Sequence, residues 1–450
     1  MGRLFFRVFF LGILILMVYS CDRKQPEHVA EDPAPSSEQA SQYQPLDPQL
    51  VELSTHALPY WRTLREKKPV LVLMSFDPFL QPIPGQLRSR AKELVLTGSN
   101  DDIDLHGSYP RPDPVIMPTQ ALSAALEAEL FSRVYWIFPS KVDPSELNVG
   151  TFRKQMVDAD FMTEQEAERF FLENGRYVGR LRGTPFEAVH PDQFPYFEGP
   201  MVLHIDLSFF RGLYENEIKT PLYDLIHQNA TRVLDSGWQP LALTLSYSTL
   251  HGAISLDTRF VLSNLAQVLR DSSLLTGDMP EPWRLRAEAL YAADMYTESK
   301  SLELYREAAH LAPEDPAVIY DLFQSHLLAR ETDKALTALG QAVARDPGYG
   351  AAYLSLAEMA LNDGNLEMAL RLLEKGAQVF PANPFLDIQR ADLLLAAGRP
   401  GEALALLNPL LEKQWSPTYH PDIPDFLVEM RHAALNFDAA ANEPDDEADN

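Results

Sequence analysis

One cysteine is all that 450 residues contain, which excludes a disulfide within one chain and any cysteine-based zinc cluster. Basic residues are also in deficit: 38 Lys and Arg face 64 Asp and Glu, a net charge of −26. Nucleic-acid binding draws its affinity from counterions released by clustered Lys and Arg, and this balance speaks against it. Electrostatic docking on anionic lipid falls with it. Any charged partner should be basic. Long apolar runs are lacking too, since the one near the N-terminus, Val8 to Tyr19, is short for a membrane span. No G-x-S-x-G elbow, no G-x-x-x-x-G-K-[ST] loop and no H-E-x-x-H helix is found.

What is present reads as a folded protein: 46% hydrophobic and 10% aromatic residues, at a length that suits two or three domains. Arg3 and Arg7 precede the Val8–Tyr19 run, and a small residue and Cys21 follow it, the layout of a signal peptide over residues 1–20. The segment "VYSC" ending at Cys21 resembles the lipobox of bacterial lipoproteins. That resemblance implies cleavage before Cys21, a diacylglycerol on its sulfur and export into the cell envelope. Asp22 stands where that family signals retention, which implies the periplasmic face of the inner membrane. An uncleaved anchor is the alternative. Residues 21–48 are rich in Pro, Glu, Gln, Ser and Ala, so a flexible tether with a reach of roughly 30 Å is expected.

Residues 49–278 mix strand and helix signals. Val70–Phe76, Val134–Pro139, Met201–Phe210 and Leu241–Ser248 are short apolar runs suited to buried strands. Helical patterns cover Pro118–Phe131, Pro221–Leu234 and Asp257–Leu269. The alternation predicts an α/β domain with a mostly parallel sheet covered on both faces.

Residues 282–415 repeat with a period of 34. Ser301, Ala335, Ala369 and Ala403 fall in one column, and Tyr305, Leu339, Leu373 and Leu407 in a second. A third holds Ala308, Ala342, Gly376 and Leu410; Pro313, Pro347 and Pro381 close successive units, with Trp415 in place of the fourth. Small residues let paired helices approach, and the prolines stop each second helix. The pattern resembles the tetratricopeptide repeat, about four copies of it, forming an α-helical solenoid. Residues 416–450 are a C-terminal extension whose acidic end, from Phe437, is expected to be disordered.

Two candidate sites follow. "RVYWIFP", "VLHIDLSFF" and "LALTLSYST" resemble strands of the ureohydrolase-like family that includes peptide arginases. That resemblance implies two manganese ions and hydrolysis of guanidino or amide groups. Carried over, Asp206 takes the first carboxylate place of the late motif and Ser208 the second, while the early motif offers Asp77 alone and no histidine. With His204 these are too few anions for two dications, so His204, Asp206 and Asp77 are expected to be remnants of a metal site, with no catalytic residue assigned. Strict alternation would set His204, Asp206 and Ser208 on one side of the strand. His106, among aspartates in a Gly/Pro loop, is a looser metal candidate. The second site is the concave groove of the repeats, onto which the register projects Trp283, Tyr320, Gln324, Leu354, Glu358, Phe385 and Asp392. Three functions stay open: a membrane-tethered interaction protein with a protein or peptide partner, a manganese hydrolase, or a structural assembly factor of the envelope.

Overall fold

Runs of Val, Leu and Ile build the centre of an eight-stranded sheet in the computed structural model, which describes residues 43–249 and 254–441. The strands are β1 (Gln49–Val51), β2 (Val70–Met74), β3 (Arg133–Ile137), β4 (Phe171–Glu173), β5 (Arg176–Leu181), β6 (Thr184–Val189), β7 (Met201–Asp206) and β8 (Ala242–Ser246). Their order is β1-β8-β7-β2-β3-β6-β5-β4. Pairing is parallel from β1 across to β6, while β6, β5 and β4 form an antiparallel meander at the edge.

Alternating side chains serve two cores. Val72, Met74, Leu203, Ile205 and Leu245 face one side, under the helices Leu222–Asp235 and Phe260–Arg270. Leu71, Leu73 and Val202 face the other, under Leu58–Arg62, Arg88–Thr97 and Ala121–Glu127. The helix expected over Pro118–Phe131 is thus only its middle part, preceded by a 3-10 turn at Pro118–Gln120.

The strand expected to run to Phe210 stops at Asp206. Asp206 accepts a hydrogen bond from the Ser208 amide at 2.9 Å and caps the helix Leu207–Leu213. An Asp cap satisfies one of the free N–H groups of a first turn, which favours helix over further strand. Ser208 therefore leaves the strand register that would have set it beside His204.

Four helical hairpins follow: Glu281–Asp294 with Glu298–Leu311, Pro316–Leu328 with Thr332–Arg345, Ala352–Asn362 with Leu366–Val379, and Pro384–Ala396 with Pro400–Leu411. The periodic columns are their seams. Ser301, Ala335, Ala369 and Ala403 are all buried on the second helices. One hydrophobic cluster runs without a break from the sheet through Phe260 and Val261 into Ile319, Tyr320, Leu339 and Leu373. The sheet domain and the repeats share a core.

Both chain segments flanking these domains are more ordered than their composition suggested. Residues 43–48 lie on the sheet domain: Leu46 is buried and its amide donates to Leu269 O at 2.8 Å, while Arg270 pairs with Asp47 at 3.3 Å. At the other end Ile423–Ala441 is a helix that buries Leu427, Met430 and Ala434, so order continues past Phe437. The signal peptide, Cys21, the tether up to residue 42 and the acidic end from residue 442 lie outside the described residues. Among the described residues, no helix is long and apolar enough to cross a membrane.

Candidate functional site

His204 sits on β7 with Thr244 of β8 as its register partner, and Asp206 sits opposite Ser246. All four side chains are fully buried. Their protons can be assigned from the bonds. The Ser246 hydroxyl donates to Asp206 Oδ2, as does that of Ser248. A serine has one proton to give, so Ser246 Oγ, 3.0 Å from His204 Nε2, must accept from the ring. Nε2 then carries the hydrogen and Nδ1 accepts from Thr244 Oγ1 at 2.8 Å. Thr244 in turn accepts from the Trp61 indole at 3.2 Å. Trp61 and Phe79 close over the imidazole edge-on, at 5.2 and 6.1 Å between centroids. Burial keeps the ring neutral, lowering its pKa to about 4 against the pull of the Asp206 charge.

This donor set does not fit a pair of manganese ions. Both ring nitrogens of His204 are spent, and Asp206 already takes two hydroxyls and one amide. Ser208, placed by resemblance at a carboxylate position, instead accepts from the Phe76 amide at 3.1 Å. Among the described residues, no group of three or more His, Cys, Asp or Glu is placed to hold a metal ion. His106 ends the helix Asn100–His106 with Nδ1 2.8 Å from Asp113 O, so its surroundings are a helix end and not a loop.

Asp77, like the buried Ser75 hydroxyl and His190 Nε2, keeps bonding capacity to spare. It is half-buried, its carboxylate accepts from the Phe79 amide at 2.7 Å, and its pKa is pushed up to about 7. Burial is the main cause; the Phe79 bond opposes it and the Asp206 charge adds to it. Between the ordinary value of 3.8 and about 7, the folded protein holds a proton that the unfolded chain has released. Stability must therefore fall as pH rises through that window. Asp77→Asn abolishes this slope, so the variant should gain on the parent between about pH 4.5 and about pH 7.5 in urea denaturation. A constant difference across that range would show that Asp77 titrates normally.

A second constellation joins the domains. Arg259, which opens the helix after β8, is buried and binds carboxylates from both sides. Its Nε donates to Asp346 at 3.0 Å, Nη1 to Glu52 at 2.9 Å and Thr249 at 2.8 Å, and Nη2 to Glu52 at 2.7 Å and Asp346 at 2.9 Å. All five N–H groups are used. The guanidinium also lies over the Tyr247 ring at 3.9 Å. Gly348 is required here, because a Cβ on it would come within 2.4 Å of that group.

A neighbouring pair is deeper. Arg286 of the first repeat and Asp321 of the second meet at 2.6 Å, with Arg286 over the Phe260 ring at 3.9 Å. None of the Arg286 nitrogens has an acceptor in line with its N–H, so the attraction is that of an ion pair and not of an aligned hydrogen bond.

These contacts turn the first helices of the repeats onto the sheet domain. Trp283 packs on Tyr223 at 5.9 Å, and Asp294 accepts from the Glu217 amide at 2.7 Å. The far end closes as well. Ser416 N donates to Pro112 O at 2.9 Å, His420 Nε2 lies 3.0 Å from Arg111 O, and Tyr419 donates to Gln120 at 3.0 Å.

The projected groove is consequently not an open one. Tyr320 is buried, stacked on Tyr349 at 4.5 Å. Leu354 packs toward Gly376 of the next helix. Phe385 is wedged among Trp415, His420 and Tyr109. Gln324 and Trp283 are half-buried; only Glu358 and Asp392 stay exposed. All seven projected residues lie on the first helices of the hairpins, and the chain itself covers much of that face. Arg259, Arg286, Glu52 and Asp346 were missed, and no local pattern marks them.

A tetratricopeptide repeat family model matches residues 320–385. BBSome complex member BBS4 from Bos taurus is 28% identical over 140 residues, 31% of this chain and 27% of that protein, so the match spans about a quarter of the relative's length. The crystal structure of MamA is 15% identical over 42% of this chain and 97% of its own, with a TM-score of 0.23. A thermophilic tetratricopeptide repeat protein of Thermus thermophilus is 24% identical over 37% of this chain and 93% of its own, with a TM-score of 0.19. The helical hairpins, the 34-residue columns and the family match agree: the C-terminal region carries tetratricopeptide repeats, whose general work is binding protein partners.

Proposed function

We propose that this chain is a lipid-anchored adaptor of the bacterial cell envelope, held by Cys21 at the periplasmic face of the inner membrane. Its repeats bind a protein partner, and its ureohydrolase-like α/β domain is a non-catalytic platform for them. One observation carries the platform reading: His204 and Asp206, at the end of β7, are sealed from solvent and bonded to Thr244, Ser246 and Ser248. Active sites need reachable groups with unspent bonding capacity. Anchoring rests on the "VYSC" segment and the Arg-led apolar run.

Labelled palmitate tests the anchor. In a bacterial host the full chain should take up label and sediment with membranes, and Cys21→Ser should do neither. Equal labelling of the two overturns the anchor. Manganese analysis of the purified chain tests the platform, which predicts far less than one equivalent; two bound ions would restore the hydrolase reading.

A further inference from the structure

Where the first repeat meets the sheet domain, a cleft of about 390 Å3 opens beside Arg259. That is near the lower end of ligand pockets, which run from about 300 to about 1,000 Å3. We propose that this cleft receives a cationic side chain, a lysine or arginine presented by a partner protein.

Three aromatic rings, Tyr247, Trp283 and Tyr349, line it together with Pro282 and Pro316. Tyr247 already carries the Arg259 guanidinium, and Tyr349 has it at 5.4 Å. Trp283 is half-buried, with Tyr223 beside it. Among the described residues, no cation of the chain lies over its ring. Indole is the strongest of the aromatic faces for a cation.

Charge points the same way. Glu314, Asp315 and Asp346 line the cleft against the single guanidinium of Arg259. That guanidinium has no donor left for an anionic ligand, since Glu52, Thr249 and Asp346 take all five. Arg345 reaches Glu314 from outside at 3.1 Å, and Asp315 gives one oxygen to the Ala317 amide at 2.9 Å. A ligand cation would lie with its charge between the Trp283 face and Asp315 and its alkyl stem on the prolines. The excess of acid over the whole chain favours the approach of a basic partner. This inference takes the partner protein from the adaptor reading, but the palmitate experiment can fail without touching the cleft, and the reverse holds too.

The test uses the full chain in detergent at low salt, with N-acetyl-lysine methylamide as probe and its norleucine and glutamate counterparts as controls, read by saturation-transfer NMR and titration. Lysine should bind, glutamate should not, and norleucine should be at least about fivefold weaker. Trp283→Leu and Asp315→Asn, the latter keeping its capping oxygen, should each weaken lysine binding by about fivefold to tenfold. The idea is overturned if lysine gives no transfer, if norleucine or glutamate binds equally, or if both folded variants bind as the parent does. n-Butylammonium separates the sources: tighter binding than the lysine probe would assign the cleft to a free amine and overturn the partner protein.

Discussion

Asp321→Ala is expected to lower the unfolding free energy by about 3–5 kcal/mol, the usual cost of leaving a buried charge without its partner. Arg286 is buried and touches one carboxylate and one ring, and the other nearby anion, Asp315, acts on it without contact. Water cannot easily reach it. Burial also acts on Asp321, pushing its pKa up to about 7 in spite of Arg286. The pair is therefore a weak net stabiliser whose halves are costly apart. That distinction is measurable. Arg286→Met combined with Asp321→Leu should recover most of the loss, because it removes both charges while keeping volume. Denaturant unfolding of the parent, the single variant and the double variant decides it. A loss under about 1 kcal/mol for Asp321→Ala would mean that Arg286 is hydrated in solution.

Arg259→Met should cost about 2–4 kcal/mol and loosen the junction of the two domains. The expected cost is lower because Glu52 and Asp346 are partly accessible and can regain water. Its effect is more specific, however, since Glu52 follows β1 while Asp346 opens the third repeat. Limited proteolysis should then cut the connection around Gly277 to Pro280 faster than in the parent, because transient opening exposes it. Gly348→Ala provides an independent arm. It keeps every charge but drives a methyl into the guanidinium, so it should produce the same cleavage. Unchanged cleavage in both variants would show that the apolar core alone holds the domains together.

Much of the architecture was legible in the sequence, for reasons that also explain what was not. The 34-residue columns repeat one packing problem, so each copy reinforces the others, and the residues of the three columns led by Ser301, Tyr305 and Ala308 proved to be buried. Strands β2, β3, β7 and β8 are buried on both faces, which enriches them in Val, Leu and Ile. Strands β1 and β4 are short edge strands with three residues each, and β4 is exposed throughout. Edge strands carry little apolar pattern, and these were missed; so were β5 and β6, whose burial is only partial. The end of β7 was misread because an apolar run does not distinguish strand from helix; Asp206 before Leu207 was the capping signal that could have done so.

The candidate site divides along the same line. His204 and Asp206 stand two apart in one strand, so their shared face could be read directly. Thr244 and Ser246 of β8 and Ser248 just after it, which complete their bonds, come some forty residues on. Arg259 lies 207 residues from Glu52 and 87 from Asp346. Nothing local separates such an arginine from those left on the surface. Only the fold does.

Repeat solenoids commonly behave as one-dimensional springs, in which terminal units fray first and bending costs little. Here the spring is pinned at both extremities, by Trp283 near its start and by Ser416 to His420 near its finish. The core it shares with the sheet domain restrains its bending. A partner that needs a straighter superhelix must first break one of the two moorings, and the weaker of them sets the threshold for that release.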